Sequence, residues 1–254
     1  MKNISKEELN KILKKHEMWL RDEEGGECAN LSYIDLRNAD LSNTNLRAAN
    51  LIGVDLSDGN LYNADLSCTD LRNADLTEVD LTDVDLRNAD LKYANLRCAD
   101  LRCANLKFTN LRCADLTSAN LEGVDLWNAN LIDSKLVGIK TNMNTIGYHL
   151  ACPEEGSFIG YKRASRYLIK LLIPENAKRS SATTLKCRCS EARVLDIEDI
   201  KTGLKVQAVN SNYNPEFIYR VGEIVKVEDF DDNRWNECST GIHFFMNKDN
   251  AINY

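Results

Sequence analysis

Leucine stands at every fifth position from Leu31 to Leu136, twenty-two times without a miss. An α-helix advances ~100° per residue, so a period of five would scatter these leucines around its axis. A flat strand alternates its faces, so an odd period would turn every second leucine into water. Both regular elements fail. The chain buries all of its leucines only if it changes direction at every repeat and winds round a common axis. The pattern predicts a solenoid.

The position two before each leucine is small or β-branched in every unit: Ala29, Ile34, Ala39, Thr44, Ala49, Val54, Gly59 and onward to Ala129 and Ser134. Residues two apart in extended backbone point the same way. Each unit therefore directs one small and one large side chain inward, and Gly59 is expected to leave a modest gap. The residue between them is Asp or Asn in every unit but the last, where it is Lys135. It faces outward, where a short oxygen-bearing side chain can hydrogen-bond turn backbone and tolerate unusual dihedrals. The two positions after each leucine vary widely, as a solvated surface allows. No proline interrupts the run, which suits backbone whose N–H groups bond neighbouring coils.

Units such as Ala39-Asp40-Leu41-Ser42-Asn43 and Ala89-Asp90-Leu91-Lys92-Tyr93 resemble the A(D/N)LXX signature of pentapeptide-repeat proteins, across roughly residues 28–140. The resemblance implies a right-handed quadrilateral β-helix with four five-residue sides per coil; the periodicity alone predicts only the turning. Stacked ~4.8 Å apart, about five and a half coils make a rod roughly 26 Å long. Burying each leucine contributes ~1.5–3 kcal/mol before chain entropy is subtracted. Side chains fill the bore, so no ligand or catalysis is expected inside it.

A solenoid exposes its bore and strand edges at both ends unless they are covered. Ser5-Lys6-Glu7-Glu8 reads as a capping box, Ser at the N-cap and Glu three residues on. Leu9, Ile12, Leu13, Trp19 and Leu20 follow at helical spacing, and Gly25-Gly26 ends the helix. Residues 1–27 are expected to cap the first coil, with His16 in the packed edge. A partner-binding or membrane-surface helix is the alternative.

Beyond Leu136 the register breaks, with Ile139 as one further inward candidate. Residues 141–254 hold all three prolines and mixed apolar runs. Strands are expected over 167–173, 186–189, 192–197 and 241–245, a hairpin of 217–220 with 224–227 about Gly222, and a final helix over 248–254. The result is a compact β-rich (α+β) domain. The stretches 152–162 and 233–245 resemble an uncharacterised domain that follows pentapeptide repeats in bacterial and bacteriophage proteins, which implies an architecture but no reaction.

Charge adds a question. The net charge is −7, and residues 29–139 carry 17 acids against 10 bases, so the excess sits in the repeats. Some pentapeptide-repeat proteins mimic duplex DNA and bind DNA gyrase and topoisomerase IV, which makes type II topoisomerase a candidate partner. Against this, Asp70 and Arg72, Asp85 and Arg87, Asp90 and Lys92, and Asp100 and Arg102 are interleaved, and no one-sign side is legible. Lys92, Arg97, Arg102, Lys107 and Arg112 form a consecutive basic belt around one coil. The belt is a candidate interaction surface, with balancing of the Asp rows as the simpler explanation. Exposed aromatics (Tyr33, Tyr62, Tyr93, Phe108, Trp127) form no row on which single strands could stack.

Nine cysteines, no secretory or lipidation signal and no membrane-spanning stretch suit reduced thiols in the cytoplasm. Cys68, Cys98, Cys103 and Cys113 fall at outward corners of different sides, too far apart for disulfides. In the last domain Cys152, Cys238 and His243 offer a thiol–imidazole pairing. Cys187, Cys189, Cys238 and His243 offer zinc ligands, although Cys-x-Cys is not the usual knuckle spacing. His243 alternates with Ile242 and Phe244, which places it on the exposed side of its strand. No nucleotide, metalloprotease or hydrolase motif is present. The sequence is read as a non-enzymatic scaffold without a cofactor. A rigid solenoid presents a C-terminal module to a protein partner, and nucleic acid and membrane are disfavoured. An enzymatic activity in residues 141–254 is the alternative.

Overall fold

In the computed structural model, which describes residues 1–254, Asn30 bridges in parallel to Asn50, Asp35 to Asp55 and Asp40 to Asn60, and the pattern runs on to Asn120 and Lys140. Partners twenty residues apart, in units of five, make four sides per coil. Leu31 N–H donates to the Asn50 carbonyl at 2.8 Å, and Asn50 N–H to the Ala29 carbonyl at 2.9 Å. The same ladder repeats from coil to coil, which is why proline is absent. Every leucine from Leu41 to Leu131 is at most 1% exposed. The bore is packed with side chains.

The corners follow one rule. Ala39 N–H donates to the Leu36 carbonyl at 3.0 Å, closing a four-residue turn, and equivalent bonds recur along the rod. The second residue after leucine takes positive φ, +54° to +63° at the non-glycine corners from Tyr33 to Asp133. Positive φ at the third residue is the type II pattern. The unusual dihedral therefore falls here, and not on the Asp or Asn before leucine as the sequence suggested. Those side chains accept the N–H two residues on, as Asp40 does from Ser42 at 3.1 Å and Asp80 from Thr82 at 2.9 Å. Gly59 also differs from expectation. A Cβ there would lie 2.8 Å from the Leu56 carbonyl oxygen, so the backbone has closed the gap.

The ladder outlasts the leucine register. Asp125 bridges to Ile146, one residue out of step, and Thr145 is 2% exposed with its hydroxyl donating to the Leu121 carbonyl at 2.9 Å. This compact unit spans Met1–Tyr148 and the second His149–Tyr254.

At the other end, strand β1 (Lys2–Asn3) pairs in parallel with β2 (Ile34–Asp35), covering an open edge of the first coil. Helix α1 (Lys6–Leu20) starts at Ser5, whose hydroxyl accepts the Glu8 N–H at 3.2 Å. It ends at Leu20 with Arg21 as its cap, before Gly25-Gly26. The glycine pair serves a different purpose: a Cβ on Gly26 would sit 2.3 Å from the Trp19 nitrogen, so only glycine lets the chain return across the helix. His16 is the one buried residue of α1, and the Ala29 N–H donates to its Nδ1 at 3.1 Å. That contact carries the capping role.

The second unit is built on a seven-stranded antiparallel sheet. Its strands are β3 (Phe158–Ala164), β4 (Tyr167–Ile173), β5 (Arg179–Ser181), β6 (Lys186–Cys189), β7 (Glu191–Asp199), β10 (Ile224–Lys226) and β11 (Ile242–Phe245). The order across the sheet is β10-β7-β4-β3-β11-β6-β5. One side buries Ile169, Leu171, Ile173, Cys187, Cys189, Val194 and Phe244; on the other, Leu168 and Phe245 pack with Ala251 of helix α2 (Lys248–Asn253). A bulge in β7 skips Leu195, because apolar Ala192 and Val194 fall out of phase with Ile197. The expected hairpin about Gly222 is not formed. β9 (Ile218–Arg220) pairs with β8 (Ala208–Asn210), while Ile224–Lys226 pairs with Glu191–Arg193 of β7. Adjacency in sequence misled, since each strand found a better partner further away.

Candidate functional site

The coil length sorts the basic belt. With twenty residues per turn, Lys92 and Arg112 share the side centred on Leu31, while Arg97, Arg102 and Lys107 lie on the three other sides. The five cations point in four directions, and no flat partner touches them together. Four are already engaged: Arg97 with Asp115 at 3.7 Å, Arg102 with Asp100 at 2.7 Å, Lys107 with Asp125 at 2.9 Å and Arg112 with Asp133 at 3.6 Å. Lys92 lies 4.9 Å from the centre of the Tyr93 ring. Of the interleaved pairs read from sequence, Asp70–Arg72, Asp85–Arg87 and Asp100–Arg102 form, and Asp90 is instead 3.9 Å from Arg72.

Columns twenty residues apart show what consecutive reading hid. Over residues 29–139, the five-residue sides centred on Leu31 and Leu46 carry six acids and six bases, whereas the adjacent sides centred on Leu36 and Leu41 carry eleven acids and four bases. The whole excess lies on two neighbouring sides. Asp58, Glu78 and Asp83 there are exposed and without an ion pair, next to half-buried Asp75 and Asp80. At the rod's start, hydrogen bonds from Arg37 hold Asp35 down to about 2.

In the second unit the proposed ligand sets separate. Cys152 is buried against Cys187 in the core, and Cys187 and Cys189 face the same way. The hydrogen bond with Cys152, and then burial, pushes the Cys187 thiol far above its ordinary range; burial pushes Cys189 up to about 12. Both stay protonated, which suits packing, while the same hydrogen bond lowers the pKa of the Cys152 thiol. His243 pairs across the sheet with Arg188, so it lies on the side opposite these thiols. Cys238 is exposed, with its sulfur 3.7 Å from Lys186 Nζ. The sheet therefore separates Cys152, Cys187 and Cys189 from His243, while Cys238 and His243 line one cavity.

His243 is half-buried, and not exposed as expected, because its side of the sheet also carries Lys186, Arg188 and Phe245 beneath α2. Burial, then the charges of Lys186, Lys162 and Arg188, pushes its pKa down to about 4. The imidazole is neutral, and its shielded Nε2 has no hydrogen-bond partner.

A cavity of about 830 Å³ lies beside it. β11 pairs with β6 over four residues and β3 with β4 over seven, yet β3 and β11 share only Tyr161–Phe245. Where these two strands part, Lys162 and Arg163 line one wall and Gly241, Ile242 and His243 another. Burial pushes Lys162 down to about 8, and its Nζ lies 5.9 Å from the Tyr219 ring centre. Lys186 Nζ is 3.2 Å from the Tyr254 hydroxyl. Burial opposes its charge, but the contacts with Tyr254 and Cys238 raise its pKa. Asp229 is the one acidic side chain in the lining. Lys162 and Lys186 were missed from sequence. The available signal was a lysine on the same inward phase as Phe158, Gly160 and Ala164.

Comparison with known proteins agrees with this division. Residues 29–67, 69–107 and 99–138 match the family described as pentapeptide repeats, and residues 148–251 match a family of unknown function, DUF5758. Among solved structures, the pentapeptide repeat protein Rfr23 from the cyanobacterium Cyanothece 51142 is 29% identical, over 54% of this chain and 97% of that one, with a TM-score of 0.27. HetL, a pentapeptide repeat protein involved in heterocyst differentiation regulation from Nostoc sp. strain PCC 7120, is 31% identical over 46% and 65% of the two chains, with a TM-score of 0.26. QnrB1, a plasmid-mediated fluoroquinolone resistance protein, is 24% identical over 42% and 58%, with a TM-score of 0.27. No curated protein matches the chain.

Proposed function

We propose that this chain, whose residues 29–138 are pentapeptide repeats, is a non-enzymatic docking protein that receives a basic surface of a protein partner on two adjacent sides of its rod. One observation carries the reading: the sides centred on Leu36 and Leu41 hold eleven acids against four bases, while the other two sides balance. The packed bore supports it, because a solenoid whose leucines from Leu41 to Leu131 are at most 1% exposed offers its outer surface and nothing else. An acidic surface repels nucleic acid and attracts cationic protein surfaces, chiefly by speeding encounter and selecting partners.

Charge neutralisation on those sides tests this. Affinity capture with the full chain is compared with a variant combining Asp58→Asn, Glu78→Gln and Asp83→Asn. A control carries Arg72→Gln and Lys92→Gln on a balanced side. The partner is expected to be retained by the control, lost by the acidic-side variant and displaced by salt. Equal recovery by the acidic-side variant refutes the docking surface. A type II topoisomerase is one candidate partner, since its DNA-binding surface is basic. Unchanged gyrase supercoiling at micromolar protein removes that candidate alone.

A further inference from the structure

We propose that the cavity between β3 and β11 in the second unit binds a small organic anion: a ring-bearing body with a carboxylate, sulfonate or phosphate group, seated between Lys162 and Lys186. Its size, about 830 Å³, lies within the usual range of small-molecule sites. Its charge is one-sided. Every ion pair in this unit uses another cation: Arg166, Lys178, Lys205, Arg220, Lys226 or Lys248. Lys162, Lys186 and Arg188 have no carboxylate within 4.0 Å, although all three are at least half-buried. Arg188 is satisfied by the carbonyls of Thr240 at 3.1 Å and Asn233 at 2.9 Å. Lys162 has no comparable acceptor.

Lys162 is withdrawn from water without a counter-ion, which is costly, and an incoming anion removes that cost, while Lys186 offers a second ammonium that its neighbours keep charged. Burial, and then the charges of Lys186, Lys162 and Arg188, keep His243 neutral, so the imidazole adds no further positive charge to the lining. The remaining lining explains the ring. Tyr213, Phe217, Tyr219, Phe245 and Tyr254 supply aromatic surface around the two ammonium groups. Opening the β3–β11 seam sacrifices ladder pairing that a continuous sheet would keep, and the space gained holds these side chains.

The probe is 8-anilinonaphthalene-1-sulfonate, with N-phenyl-1-naphthylamine as the same ring system lacking the charge. The full chain is expected to bind the sulfonate saturably at one site, with enhanced fluorescence, and to bind the neutral amine at least about tenfold more weakly. Benzoate and benzenesulfonate are expected to displace the probe, and benzamide is not. Lys162→Met and Lys186→Met each weaken sulfonate binding about tenfold or more, while Lys162→Arg retains it. Near-UV circular dichroism establishes that each variant is folded, and the displacement series stands without any variant. Non-saturable fluorescence, displacement by benzamide as strong as by benzoate, or full affinity in both folded methionine variants overturns the proposal. The rod-side charge variants leave this pocket intact, so this result is read independently of the docking surface.

Discussion

The imidazole of His16 accepts the backbone N–H of Ala29 through Nδ1 at 3.1 Å, joining the buried residue of the capping helix to the first inward position of the rod. Nδ1 accepts only while unprotonated, and burial lowers the His16 pKa below its ordinary value. The unfolded chain takes up that proton near pH ~6.5. The contribution is therefore complete above that pH and is lost as pH falls through and below it. The melting midpoint of the first unit should drop between pH 7 and pH 5, and drop less in His16→Gln. Identical pH profiles for the two proteins exclude this origin.

Gly59 stands where a small inward side chain is the rule, yet a Cβ there meets the Leu56 carbonyl oxygen at 2.8 Å and that of Ala39 at 3.2 Å. Gly59→Ala should overpack the coil and destabilise it by ~1–3 kcal/mol. Urea denaturation checks this, and an unchanged or higher midpoint shows that the backbone relaxes freely.

Ala48 turns its corner at φ +60°. Left-handed backbone costs a residue with a Cβ ~1–2 kcal/mol, offset in part by the greater unfolded freedom of glycine. Ala48→Gly should be neutral or stabilising by up to ~1 kcal/mol, and Ala48→Val destabilising. The reverse order in denaturation midpoints would contradict the turn assignment.

Arg179 donates to the carbonyls of Gly156, Pro174, Glu175, Ala177 and Pro153 at 2.7–3.3 Å, and its guanidinium lies 5.1 Å from the Phe158 ring centre. One planar fork ties the loop of Pro153 and Gly156 to the loop of Pro174 to Ala177. Arg179→Met should cost the second unit ~3 kcal/mol, and Arg179→Lys should recover little of it, because an ammonium cannot span the same carbonyls. Loss of under about 1 kcal/mol in Arg179→Met means the loops are held by other contacts.

The winding was legible because each five-residue unit carries its own instruction, one small and one large inward side chain. The capping helix was legible from Ser5 and its apolar spacing, and so were strands such as Tyr167–Ile173, whose runs are long. The hairpin about Gly222 was misread because strand partners are chosen by burial across the sheet, and short runs near one glycine do not encode that choice. The basic belt looked like one surface because residues five apart are close in sequence, though they face different directions around the coil.

By itself the sequence determined that residues 31–136 must corner and stack, since no straight element buries a leucine at every fifth position. It also settled that the bore is apolar and that the charge lies outside. Only the tertiary structure decided which outward residues stand above one another, and so that the acidic excess occupies two adjacent sides. It also decided which corner residue takes left-handed backbone, and that β3 and β11 part around Lys162 and His243. The corner is set within each four-residue turn, but the other features depend on pairing between segments 20 to 84 residues apart, and local composition carries no record of that register.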